Sequence, residues 1–136
     1  MKTPGAPWAD RIRSLRVLVV EDDTLVGLFV ESLFESVGVE QSVEIAQSLE
    51  TGRWLAQSGA YDLALLDVYL NGEPSFAVAE VLQSRGIPFA FASGFASEQV
   101  RLRFPGVPVL TKPFQAAELQ SVVAGLLGHH AASRRV

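Results

Sequence analysis

Apolar residues fall along this chain in two rhythms: short strand-like runs that end on polar groups, and longer helical stretches between them. Arg16-Val17-Leu18-Val19-Val20 runs into Glu21-Asp22-Asp23, and Leu63-Ala64-Leu65-Leu66 closes on Asp67. Pro88-Phe89-Ala90-Phe91-Ala92 ends in Ser93, and Val107-Pro108-Val109-Leu110 leads through Thr111 to Lys112-Pro113-Phe114. Tyr61 to Asp67 is apolar on both faces at its centre, as buried parallel strands are. Val39 to Ile45 instead alternates, which predicts a strand with one exposed face at a sheet edge. Between these runs Val26, Phe29, Val30, Leu33 and Val37 stand at i, i+3, i+4, i+7 and i+11 and predict a helix over 24–37, closed by Gly38. Further helices are expected over 48–58 before Gly59, from Phe76 to before Gly86, near 97–103, and from Leu119 through Leu127, where Gly128 is expected to stop the last one.

Five strands alternating with five helices predict an α/β fold, a doubly wound parallel sheet covered on both faces, because parallel neighbours need crossover connections. The expected layout is an N-terminal arm over 1–14, one folded domain over 15–128 and a polar tail over 129–136. Within the arm, Trp8, Ile12 and Leu15 stand at i, i+4 and i+7, so a short amphipathic helix can start near Pro7 and serve either as a docked tail or as a dimerisation device. The tail's His129-His130 pair reads as a solvated chain end.

Composition narrows the function. The 136 residues suffice for one core, and 49% hydrophobic with 19% charged residues is ordinary for a compact domain. The absence of cysteine excludes disulfides, thiol catalysis and Cys-based metal sites. A net charge of -4 argues against a general nucleic-acid binder. No apolar run is long enough to span a bilayer, and the first residues open onto no apolar signal core, so a cytoplasmic protein is expected.

Chemistry enters through the polar ends of the strand-like runs. If the strands lie parallel, Glu21, Asp22, Asp67, Ser93 and Lys112 converge on the carboxyl edge, where open α/β sheets collect their ligands. Two carboxylates 4 Å apart repel by about 4 kcal/mol at a near-surface dielectric, and a hard divalent cation such as magnesium, held by oxygens, offsets that. Lys112 supplies an ammonium that can grip Asp67 at rest and a phosphoryl oxygen later. Ser93 supplies a hydroxyl for another phosphoryl oxygen. The set points to phosphoryl transfer onto Asp67.

With these residues in view, the chain resembles the receiver domains of two-component response regulators. The matching pieces are Val19-Val20-Glu21-Asp22-Asp23, Leu65-Leu66-Asp67-Val68, the Ser93 position and Lys112-Pro113-Phe114, over roughly residues 15 to 127. The resemblance implies a flavodoxin-like fold with strand order 2-1-3-4-5 and Asp67 as phosphoacceptor. It also implies Asp22 as a direct Mg2+ ligand, Glu21 acting on the metal through water, the Tyr69 backbone carbonyl as a further ligand, and a cis bond between Lys112 and Pro113. Asn71-Gly72-Glu73-Pro74 and Phe91-Ala92-Ser93-Gly94-Phe95 are similar to the FAT GUY group of single-domain regulators, with Ser for Thr and Phe for Tyr. Many receivers carry an aromatic switch residue three positions before the conserved Lys. Here that position is Val109, so a signal is expected to travel through residues 93 to 104, where Phe95 can repack.

The expected function is that of a stand-alone receiver. It would take phosphate from a histidine kinase or phosphotransfer protein and act by contact with a downstream protein, by relay or as a phosphate sink, as a monomer or weak homodimer, without turning over an external substrate. The donor is expected to dock on the first long helix and the loop after Lys112. Two rivals are a non-phosphorylated interaction module of the same fold and a haloacid-dehalogenase-type phosphatase. The phosphatase would want a second acid two residues after Asp67, where Tyr69 stands.

Overall fold

The computed structural model describes residues 7–95 and 98–134, with side chains from 10 to 95 and from 98 to 128. Its elements are α1 (Pro7–Arg13), β1 (Arg16–Val20), α2 (Thr24–Ser36), β2 (Ser42–Ala46), α3 (Leu49–Ser58), β3 (Leu63–Asp67), β4 (Tyr69–Leu70), β5 (Glu73–Pro74), α4 (Phe76–Arg85), β6 (Phe89–Ser93), α5 (Glu98–Arg103), β7 (Val109–Thr111) and α6 (Ala116–Arg134). Five strands form one parallel sheet in the order β2-β1-β3-β6-β7, which is the expected 2-1-3-4-5 once the small antiparallel β4–β5 hairpin is set aside. The hairpin and the docked α1 are the additions to the expected five strands and five helices.

Strict alternation along the strands divides the core in two. Leu18, Val20, Ala64, Leu66, Phe89 and Phe91 face one way and pack with Ala56, Phe76, Leu82, Val100 and Phe104 of α3, α4 and the segment from α5 onward. Val17, Val19, Leu63, Leu65, Ala90 and Ala92 face the other way, against Val30, Phe34, Leu119, Val123 and Leu127 of α2 and α6. On the first side the rings of Phe76, Phe89, Phe91 and Phe104 meet at centroid separations of 5.4 to 6.3 Å, largely edge to face.

The described part of the expected arm, from Pro7 on, packs against the sheet and helices through α1. Ile12 and Leu15 are buried with Val17, Phe34 and Leu126, and burying such a side chain stabilises by about 1.5–3 kcal/mol. The Trp8 side chain, also assigned to that short helix, lies outside the described residues, as do the side chains of His129 and His130.

Two expected boundaries are corrected. The edge strand begins at Ser42 rather than Val39, because the amides of Glu40 and Gln41 donate to the Arg13 carbonyl at 3.1 and 2.9 Å and leave the ladder. The last helix does not stop at Gly128: α6 continues to Arg134. At a stop the backbone turns out of the helix, left-handed at Gly38 and Gly86 and extended at Gly59, whereas Gly128 stays helical, and glycine inside a helix costs only about 1 kcal/mol. The Lys112–Pro113 bond is cis.

Candidate functional site

The parallel register assembles the acidic edge. Val20 pairs with Leu66, so Glu21 emerges beside Asp67. Asp67 pairs with Ala92, and Ser93 pairs with Thr111, which sets Ser93 and Lys112 along the same rim. The ladder continues one step further, with the Lys112 amide donating to the Ser93 carbonyl at 2.8 Å.

Lys112 Nζ lies 2.5 Å from Asp67 Oδ1 and 2.6 Å from Glu21 Oε1. Glu21 is buried, and its second oxygen accepts from the Asp23 amide at 3.1 Å. Asp23 in turn caps α2, its Oδ1 accepting from the Val26 amide at 3.1 Å, so the acidic turn also fixes the start of that helix. Burial pushes the Asp67 carboxyl up to about 6, the Glu21 charge adds to the rise, and Lys112 opposes it. Burial pulls the Lys112 ammonium down, but its bonds to Asp67 and Glu21 outweigh this and leave it above the usual lysine value. Asp22 is held below the usual carboxylate range, chiefly by the Asn71 amide, which donates to its Oδ2 at 2.9 Å.

One carboxylate oxygen from each of Glu21, Asp22 and Asp67 lies within 4.8 Å of the others. Three hard oxygen donors gathered so closely, with one lysine to share among them, fit a magnesium-like cation in both chemistry and spacing. Tyr69, expected to contribute its carbonyl, opens β4 two residues past Asp67, and its side chain is half exposed.

The remaining expected group is on the rim but turned away. Ser93 Oγ donates to the Phe95 carbonyl at 2.6 Å and accepts from the Phe95 amide at 3.1 Å, so its hydroxyl holds its own loop. Phe95 itself is 84% exposed, and a Cβ added at Gly94 would meet nothing within 4 Å, so the approach past this loop is open. Val109 sits on the edge strand β7 opposite Phe91, at the border of exposure. Residues 96 and 97 of the expected 93–104 signalling segment lie outside the described residues. On the neighbouring helix α2, Leu25, Leu28 and Phe29 are exposed, at 77%, 51% and 56%.

Sequence reasoning missed two contributors. Asn71 was read as part of a turn signal, yet its backbone amide fixes Asp22. Ser75 was not singled out, yet its buried hydroxyl donates to the Asp67 carbonyl at 2.5 Å. A serine just before an apolar helical run is a readable N-cap signal, but its choice of partner is tertiary.

No family model matches the chain. It is 33% identical to the transcriptional regulatory protein CiaR of Streptococcus pneumoniae over 83% of this chain and 51% of CiaR. The chain spans about half the length of the curated relatives it matches. Among solved structures it is similar to SdrG from Sphingomonas melonis Fr1, with 36% identity and a TM-score of 0.73 over 83% of this chain and 96% of SdrG. It is also similar to a response regulator receiver protein from Sinorhizobium medicae WSM419, with 25% identity and a TM-score of 0.77 over 88% of this chain and 98% of that one. A parallel sheet with an acidic rim and a lysine just after its last strand, in a chain that is 33% identical to CiaR and shares its fold with response regulator receivers, means that the chain belongs to the response regulator receiver domains of two-component systems.

Proposed function

We propose that this receiver accepts a phosphoryl group on Asp67 from a histidine kinase or a phosphotransfer protein and works as a single-domain regulator of the FAT GUY kind. The observation that carries the reading is the contact of Lys112 Nζ with both Asp67 and Glu21, because it joins the proposed nucleophile, the acidic cluster and an ammonium in one network. The receiver unit is assigned to residues 15–128, with the arm 1–14 and the segment 129–136 flanking it.

In this reading an Asp67 carboxylate oxygen attacks the phosphorus of the donor. The O–P bond to Asp67 forms as the donor's N–P or O–P bond breaks, and the electron pair leaves with the imidazole or the carboxylate. Glu21, Asp22, Asp67 and the Tyr69 carbonyl would hold Mg2+, Glu21 through water, and the ion when bound supplies neutralisation of the phosphoryl oxygens. Lys112 keeps Asp67 oriented at rest and then follows the new charge onto a phosphoryl oxygen. The Ser93 hydroxyl binds another, and to do so it must release the Phe95 carbonyl, which frees residues 93–104 to repack. That route needs no ring at Val109.

Exposed Leu25, Leu28 and Phe29 beside the acidic rim, with the loop after Lys112, suit donor docking. Output is a changed contact with a downstream protein, a relay or a sink, and no external substrate is turned over.

The test is incubation with Mg2+ and acetyl phosphate, reading an added phosphoryl mass. Wild type is expected to take one label that persists, and Asp67→Asn none. Rapid hydrolysis of phosphoesters without a lasting label would instead indicate a phosphatase, and no reaction an interaction module.

A further inference from the structure

Ser75 stands just before α4, where a serine side chain ordinarily accepts a bond from an amide in the helix's first turn. Here the side chain makes no cap bond. Its hydroxyl donates instead to the backbone carbonyl of Asp67 at 2.5 Å, while the Ser75 amide donates to the Val68 carbonyl at 2.8 Å. The residue is fully buried, and its own carbonyl accepts from the amides of Val78 and Ala79 at 3.1 and 3.2 Å. Ser75 is therefore pinned from both sides, by the first turn of α4 and by the end of β3, and every polar group it owns is committed.

We propose that Ser75 is a positioning residue for phosphoryl transfer, its hydroxyl fixing the Asp67 main chain so that the carboxylate meets the incoming phosphorus in line. The inference rests on Asp67 being the phosphoacceptor. Asp67 is the last residue of β3, paired with Ala92 at the end of the ladder. Its neighbour Val68 is held across the sheet by the Ala92 carbonyl at 3.1 Å, and the Asp67 carbonyl is held by Ser75. The side chain is held by Lys112 at one oxygen, so the carbonyl clamp and the ion pair together fix the residue at both ends. In-line transfer is sensitive to rotation of the residue, since a misplacement of about 1 Å can cost on the order of a hundredfold in rate.

The test compares wild type, Ser75→Ala and Ser75→Thr with acetyl phosphate at saturating Mg2+. The readouts are the maximal labelling rate, the donor concentration at half-maximal rate, the Mg2+ dissociation constant and the melting temperature. Ser75→Ala is expected to lower the maximal rate roughly tenfold, while Mg2+ affinity, to which Asp67 is one ligand beside Glu21 and Asp22, falls less than about threefold and half-saturation holds. Ser75→Thr, which keeps the hydroxyl, should label faster than Ser75→Ala. Equal rates in wild type and Ser75→Ala would overturn the proposal, as would Ser75→Thr no faster than Ser75→Ala. A rate that falls only in step with Mg2+ affinity and melting temperature would reduce Ser75 to packing and overturn it too. Should Ser75→Ala not fold, Ser75→Cys, close in size with a weak donor, takes its place in the same comparison. A wild type that takes no label overturns the phosphoacceptor reading itself, whereas a labelled wild type with an equally labelled Ser75→Ala overturns this inference alone.

Discussion

Lys112 and Glu21, 91 residues apart in the chain, are joined at 2.6 Å while the same ammonium touches Asp67. One cation thus stands between two carboxylates that would otherwise face each other. Replacing it, as in Lys112→Met, leaves the acids opposed, and a divalent ion becomes their main neutraliser. Mg2+ is expected to bind about three to tenfold more tightly to Lys112→Met than to wild type, as measured by calorimetry, while acetyl-phosphate labelling slows. Weaker Mg2+ binding in the variant would contradict the shared-charge arrangement.

Asp67 gives a pH prediction whose sign is set by its burial. Its carboxyl rises from 3.8 to about 6 in the folded chain, so the folded state holds more protons than the unfolded one between those values. Its stabilising contribution is complete below the unfolded value and is lost as pH rises through about 6. Asp67→Asn removes the ionised form, so in EDTA at pH 7 the variant should be more stable than wild type by on the order of 2 kcal/mol. Urea midpoints across pH 4 to 7 check this, and the gap should narrow toward pH 4. Added Mg2+ should stabilise wild type more than the variant.

Tyr69 is half exposed beside the rim and can lie over a phosphoryl group on Asp67. Tyr69→Ala is expected to change the lifetime of the acyl phosphate more than about threefold, or roughly 0.7 kcal/mol of barrier. Following the decay of the phosphoryl mass decides it, and an unchanged half-life would remove the ring from the mechanism.

Asn71 is a positive-φ residue other than glycine, at +49°, and its amide fixes Asp22. Alanine tolerates that conformation poorly, so Asn71→Ala should cost about 1 kcal/mol in chemical denaturation, whereas Asn71→Gly should be close to neutral. Both keep the amide, so both should keep most of the Mg2+ affinity. A neutral Asn71→Ala would show that the hairpin relaxes without cost.

The rim was legible because each of its residues closes an apolar run, and parallel pairing of such runs leaves little freedom in where their ends meet. Glu21, Asp67 and Lys112 meet for that reason. What stayed hidden was decided by contacts distant in sequence. The Arg13 carbonyl draws the amides of Glu40 and Gln41 out of the edge strand. The Asp67 carbonyl draws the Ser75 hydroxyl off its helix. Ser93 was recognised by type and place, but nothing in the residue string says that its hydroxyl turns to Phe95. Gly128 misled because a glycine by itself ends no helix: the chain must leave the helix there, in the left-handed conformation as at Gly86 or extended as at Gly59, and at Gly128 it goes on.

The order in which the rim's members occur along the chain has a consequence for biosynthesis. A nascent polypeptide emerged only as far as β6 already carries Glu21, Asp22 and Asp67 but not the lysine that follows the three-residue strand β7. Glu21 and Asp67 can share that lysine only once β7 has joined β6, so the step that completes the sheet is also the one that brings in the balancing charge.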